Sequence, residues 1–133
     1  MDKWQALDAF WSGFSWPAFD ENSVPEEVWD ESSQKMVGLT TPYITYEAAV
    51  GRLGDDMVLS ASLWDNAVSW ERISKKASEI EAYIASLDPK AIEIDGGRMW
   101  ITSNRPFAQR LSSGDNSWKR IRLSVNVEFF TAY

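Results

Sequence analysis

Residues 118–130 read "WKRIRLSVNVEFF", with an almost unbroken alternation of polar and apolar side chains. Successive side chains of a strand point to opposite faces, so Ile121, Leu123, Val125, Val127 and Phe129 share one side. Trp118, Arg120, Arg122, Ser124, Asn126 and Glu128 share the other. The segment is therefore predicted to be the longest and most central strand of a sheet with one apolar face and one mixed face. Such a sheet folds only if a second layer covers its apolar side.

Two segments have the helical spacing that suits this layer. Asp2, with Gln5 three residues later, is a variant of the capping box and predicts a first helix from about Lys3 to Phe14, stopped by Gly13 and Pro17. Trp4, Leu7, Phe10, Trp11 and Phe14 recur on one side of it, so all of them are expected to pack on the sheet. A second helix is expected from near Ser69 to about Ser86, with Glu71 in its first turn and Asp88-Pro89 past its end. Ile73, Ala77, Ile80, Ile84 and Leu87 form its inner side, while Glu71 and Lys75 make a favourable i,i+4 pair outside.

Further strands follow from composition and turns. "YITYEAAVG" and "MVLSASLW" are rich in β-formers and flank a turn centred on "GDD", which predicts an antiparallel pair. In "AIEIDGGRMWI", Gly96-Gly97 supply a two-residue hairpin turn that sets Asp95 opposite Arg98, Ile94 opposite Met99, Glu93 opposite Trp100 and Ile92 opposite Ile101. Ile92, Ile94, Met99 and Ile101 then face the core, and Trp100 faces away. "SNRPFAQRLSSGDNS" reads as a loop, and residues 20–42 as an ordered but irregular excursion. Trp29 and Met36 within it either meet a neighbouring subunit or pack on the parent domain. The expected fold is one α+β domain over residues 1–133, in the order α-β-β-α-β-β-β. It has a largely antiparallel sheet of about five strands with two main helices on one face.

Composition narrows function by exclusion. The chain has no cysteine and no histidine, which removes thiolate and imidazole chemistry, the Ser-His-Asp relay and His-ligated zinc. A formal net charge of -7 repels nucleic acid and anionic membrane. Neither a signal peptide nor a membrane-spanning run is legible, so the protein is expected to be soluble where it is made. Carboxylates are the remaining catalytic candidates, but Asp55-Asp56 read as turn residues and Glu47, Glu93 and Glu128 as single outward strand residues, so no enzyme activity is expected. No catalytic, cofactor or metal site is assigned. Trp64, Trp100 and Trp118 share the parity of the face without helices, an apolar patch to be covered by long loops, by another copy or by another protein. Phe107 and Arg110, in the expected loop, are residue types favoured as interface anchors, and Arg120 and Arg122 form a salt-bridged ladder with Glu128 or a site for an acidic partner. The candidate interface is thus Trp64, Trp100, Phe107, Arg110, Trp118, Arg120 and Arg122.

Several segments together resemble a known family. "MDKWQALDAFWSGFSWPAFDENSVP", "PYITYEAAVG", "LSASLWDNAVSW", "IDGGRMWI", "PFAQR" and "RIRLSVNVEFFTAY" are similar to the small neck proteins of long-tailed bacteriophages and prophages, with the tail-terminator or tail-completion proteins as the nearest class. The stretch 26–41 is longer than that pattern leads one to expect. The resemblance implies a virion protein made in the bacterial host cytoplasm, with an α+β fold, that assembles as a homo-oligomeric ring, commonly of six copies. The ring would cap the tail tube, end its elongation and offer a surface for head joining, with no cofactor. Its partners would be itself, the tail-tube protein and a head-completion or connector protein; DNA would only pass through, past an acidic lining that disfavours phosphate contact. Another neck component or a tail-tube subunit is the nearest alternative. A carbohydrate-binding module with exposed tryptophans is the alternative of a different class.

Overall fold

A computed structural model describes residues 1–52, 54–87, 91–111 and 118–131 of the chain. Its elements are α1 (Lys3–Ser12), β1 (Ala18–Asp20), β2 (Glu27–Asp30), β3 (Lys35–Gly38), β4 (Tyr43–Tyr46), β5 (Asp56–Asp65), α2 (Glu71–Ser86), β6 (Ala91–Ile94), β7 (Gly97–Leu111) and β8 (Lys119–Thr131). The fold is mixed α+β with two helices. The main sheet has six strands in the order β1-β4-β5-β8-β7-β6, antiparallel throughout except where β1 lies parallel to β4, and β2 and β3 form a separate hairpin. The expected strand count and order are corrected accordingly. No helix among the described residues is long and apolar enough to cross a membrane.

The helices form where capping and periodicity place them. Asp2 Oδ1 accepts the Gln5 amide at 2.8 Å and Gln5 Oε1 accepts the Asp2 amide at 2.9 Å, so the capping box closes in both directions. Ala6, Leu7, Phe10, Trp11 and Phe14 are buried, but Trp4 is 53% exposed. The apolar arc is turned by Ala6, whose small side chain lets the backbone approach and moves the centre of the buried face away from Trp4. Lys3 lies on the inner side instead, its ammonium donating to the Gly51 carbonyl at 2.7 Å and sitting 5.2 Å from the Phe129 ring. In α2, Ile73, Ala77, Ile80 and Ile84 are buried as their spacing requires, and Ser69 Oγ accepts the Glu71 amide at 3.0 Å. Its ion pairs among the described residues run from Arg72 to Asp65 and from Lys76 to Glu79, rather than between Glu71 and Lys75. Tyr83 of α2 meets Phe14 edge-on at 5.3 Å and joins the two helices.

Three stretches depart from expectation. The excursion at 20–42 contains the β2–β3 hairpin, in which Val28 faces Val37 and Trp29 faces Met36. Its turn uses no glycine: Asp30 accepts from the Ser32 amide and from the Ser32 and Ser33 hydroxyls, and Gln34 adopts φ 55°. The turn of the β6–β7 hairpin falls on Asp95-Gly96, with Gly96 at φ 76°, so Ile92 faces Met99, Glu93 faces Arg98 and Ala91 faces Trp100. Moving the turn by one residue changes each partner by two, which preserves the faces: Ile94, Met99 and Ile101 are still buried and Trp100 still points away. Residues 103–111 are not a loop but the second half of β7, the longest strand. Pro106, which has no N–H to give, sits where the ladder is interrupted between Ser103 and Ala108; pairing then resumes from Ala108–Leu123 to Leu111–Arg120. Residues 112–117, the rest of the expected loop, lie outside the described residues.

The core sits between the helices and one face of the sheet. Ile73, Ile80 and Ile84 join Leu63, Leu123, Val125, Val127 and Phe129 in one buried cluster that also takes in Leu7, Phe10 and Trp11 of α1. Both helices therefore cover the same side. Among the described residues, no helix lies on the other side of the sheet.

Candidate functional site

The strand registers assemble the helix-free face residue by residue. Across one end run Phe19, Thr45, Ser62 and Arg122 in line, next to the row Tyr43, Trp64, Arg120 and Leu111. Tyr43 stacks on Trp64 with 6.4 Å between centroids at 25°, Phe19 meets Tyr43 at 6.3 Å, and the Arg120 guanidinium lies 4.8 Å from the Trp64 centroid. Hydrogen bonds fix the cluster: Trp64 Nε1 donates to Thr45 Oγ1 at 2.9 Å, and Arg120 Nε donates to Ser62 Oγ at 3.0 Å. Burial raises the Tyr43 phenol above its usual pKa. Trp64 is thus held between its neighbours on both strands. Its ring is packed between Tyr43 and Arg120 rather than bare.

At the other end, Trp100 is 42% exposed and packs edge-to-face on Phe130 at 5.2 Å. Glu128 lies directly opposite both Trp100 and Asp56, and these three with Thr102 and Asn126 line a shallow depression of about 140 Å³. Between the two ends the face is low. Ser60 and Ser124 face one another there, beside Val58, which is 59% exposed.

Of the sequence-derived interface residues, Trp64, Trp100, Arg120 and Arg122 come together on this face. Trp118 precedes β8 by one residue and is partly exposed. Phe107 and Arg110 belong elsewhere. Phe107 is only 7% exposed and joins the core, because the irregular part of β7 turns it under α2, so the expectation of an exposed loop anchor is corrected. Arg110 is exposed on the helix side, donating to Ser74 Oγ at 3.1 Å and resting 4.8 Å from the Trp70 ring. The residues missed from sequence are Phe19, Tyr43, Val58 and Phe130. Continuing the β8 alternation one step finds Phe130, and pairing "YITY" with "ASLW" finds Tyr43; no local signal finds Phe19.

The helix side has a broader depression of about 620 Å³ lined by Trp16, Arg72, Lys75, Lys76 and Glu79, among others. Two of its three cations are engaged: Lys76 bonds Glu79 at 2.8 Å and the Phe14 carbonyl at 2.9 Å, and Arg72 grips Asp65, which is fully buried at the end of β5. These contacts dock the start of α2 on the sheet. They account for Arg72 and Lys76.

No protein-family model, curated protein or solved structure matches the chain. What the helix-free face does has to be read from its own chemistry.

Proposed function

We propose that the chain is a structural subunit of the neck of a long-tailed phage or prophage, a ring-forming cap that ends the tail tube and presents a surface for head joining. The observation that carries an assembly role is the helix-free sheet face, on which Trp100 and Val58 remain about half exposed and which the described residues leave without a covering layer. An antiparallel sheet tolerates water on one side when that side is polar, but large apolar side chains there are a feature of surfaces that another protein covers. The rigid Tyr43–Trp64–Arg120 cluster supports the same reading, since aromatic and arginine side chains held in place before contact lose little entropy on association. The phage assignment itself is supported by the segments of sequence that resemble neck proteins.

The test uses the whole chain with and without polymerised tail-tube protein. Light scattering coupled to size exclusion and negative-stain imaging should show a closed ring of fixed size at tube ends, and tubes grown in its presence should be shorter. Unlimited polymers of the chain alone would make it a tube subunit. A chain that stays monomeric and leaves tube length unchanged would refute the proposal.

A further inference from the structure

We propose that the helix-free face is self-complementary: in the free protein it pairs with a second copy across a two-fold axis, antiparallel. The Arg120/Arg122 end of one copy then lies over the Asp56/Glu128 end of the other. This rests on the reading that the face is covered by protein, and it names what covers it when no tail protein is present.

The first reason is the distribution of charge. Arg120 and Arg122 stand at one end of β8 and Glu128 at the other, with Asp56 beside Glu128 on β5. The six-residue step from Arg122 to Glu128 spans about 20 Å of strand. None of these four side chains takes part in an ion pair among the described residues. Asp56 and Glu128 are moreover directly opposite one another, an arrangement of like charges that costs stability unless a cation relieves it. Near the β6 edge, Glu93 and Arg98 face each other and offset one another. Across the face Arg98, Arg120 and Arg122 stand against Asp56, Glu93, Glu128 and Glu47, whose carboxylate accepts the Ser60 amide at 3.2 Å, so the face is close to neutral in a chain whose net charge is -7. It is therefore a surface on which two acidic copies can meet with little repulsion.

The second reason is shape and symmetry. When the same patch meets itself the contact is two-fold, with each interaction made twice. A parallel alignment would set carboxylates on carboxylates and guanidinium groups on guanidinium groups, whereas the antiparallel one sets each end on its opposite. The midpoint between the charged ends is the pair Ser60 and Ser124, whose small side chains allow the second sheet to approach to the usual spacing of about 10 Å. In that alignment Glu128, with Trp100 beside it, comes to the level of Arg120 of the other copy, so each carboxylate end meets a guanidinium end twice. The pairing leaves other surfaces, such as the β2–β3 hairpin with its half-exposed Trp29 and Met36, for lateral contacts in a ring.

The experiment is a charge-exchange test on the whole chain by sedimentation equilibrium, with circular dichroism as the control for folding. Arg120→Glu/Arg122→Glu makes both ends of the face acidic; Asp56→Lys/Glu128→Lys makes both ends basic. Each variant alone should pair at least about tenfold more weakly than the native chain, and an equimolar mixture should recover native affinity as a one-to-one pair. Should either variant fail to fold, the native chain still decides: its pairing must weaken as ionic strength rises and must shield Trp100 from a collisional quencher. A native chain monomeric at every concentration overturns the pairing, as does association untouched by both reversals. A ring that forms regardless of them overturns the pairing and leaves the neck-protein proposal standing; a monomer with no effect on tail tubes removes both.

Discussion

Phe107→Ala separates a core residue from an interface anchor. Phe107 is 7% exposed and contributes to the same buried cluster as Ile121 and Leu123. Truncating a buried phenylalanine costs about 3–5 kcal/mol, the transfer term plus that of the cavity left behind. The lower end applies here, because Phe107 borders a depression of about 220 Å³ beside α2 into which water and neighbouring side chains can move. For a chain of 133 residues, about 2.1 cal/mol/K per residue gives an unfolding entropy of roughly 0.28 kcal/mol/K, so a loss of about 3 kcal/mol lowers Tm by about 10 °C. The assay is thermal and urea unfolding of dilute, monomeric protein, with Phe107→Leu as the milder comparison expected to lose about a third as much. A fall in Tm of less than about 2 °C, together with loss of assembly, would refute the core placement and return Phe107 to a contact surface.

The first helix offers a second test: in single-tryptophan variants, Trp4 should be readily quenched by acrylamide and Trp11, which is 1% exposed, hardly at all. Equal quenching of the two would show that α1 is rotated relative to the arrangement described. A third concerns acid. Hydrogen bonds from Ser33 and then Ser32 hold Asp30 below its ordinary pKa, so the folded hairpin binds its proton less readily than the unfolded chain does. The stabilisation is thus present in full above about pH 4 and is lost as pH falls through the lowered value. Trp29 fluorescence should report this opening in acid, and Asp30→Asn should abolish the step; a step that persists in the variant would assign it to other carboxylates.

Where a structural feature depends on the chain's own repeat, it was legible from the residues. The inward set of β8 and the inner side of α2 follow from periods of 2.0 and 3.6, and the capping box of α1 from residues three apart. The faces of β6 and β7 also survived a wrong turn position, because a hairpin turn displaced by one residue keeps the parity of every pair. Trp4 was misplaced for a reason within the same logic. Counting large apolar residues ignored Ala6, and it is the small residue that fixes which arc of the helix approaches the sheet.

The face proposed as functional was only half visible in this way. Parity alone places Trp64, Trp100, Arg120 and Arg122 on the side away from the helices, since a side chain's direction is set by its own backbone. Parity does not say which strands are neighbours. That Tyr43 stacks on Trp64, that Phe19 joins them through a parallel edge strand, and that Asp56 stands opposite Glu128 all depend on pairings between residues far apart in the chain. The second half of β7 is the clearest case. Ser, Asn, Arg and Pro at 103–106 are poor strand formers locally, yet β8 offers an unpaired edge that only a strand can satisfy, and the backbone takes it on either side of the interruption at Ser103 and Ala108. Local chemistry determined where each side chain points; the sheet, by bringing distant strands into register, decided which side chains stand together.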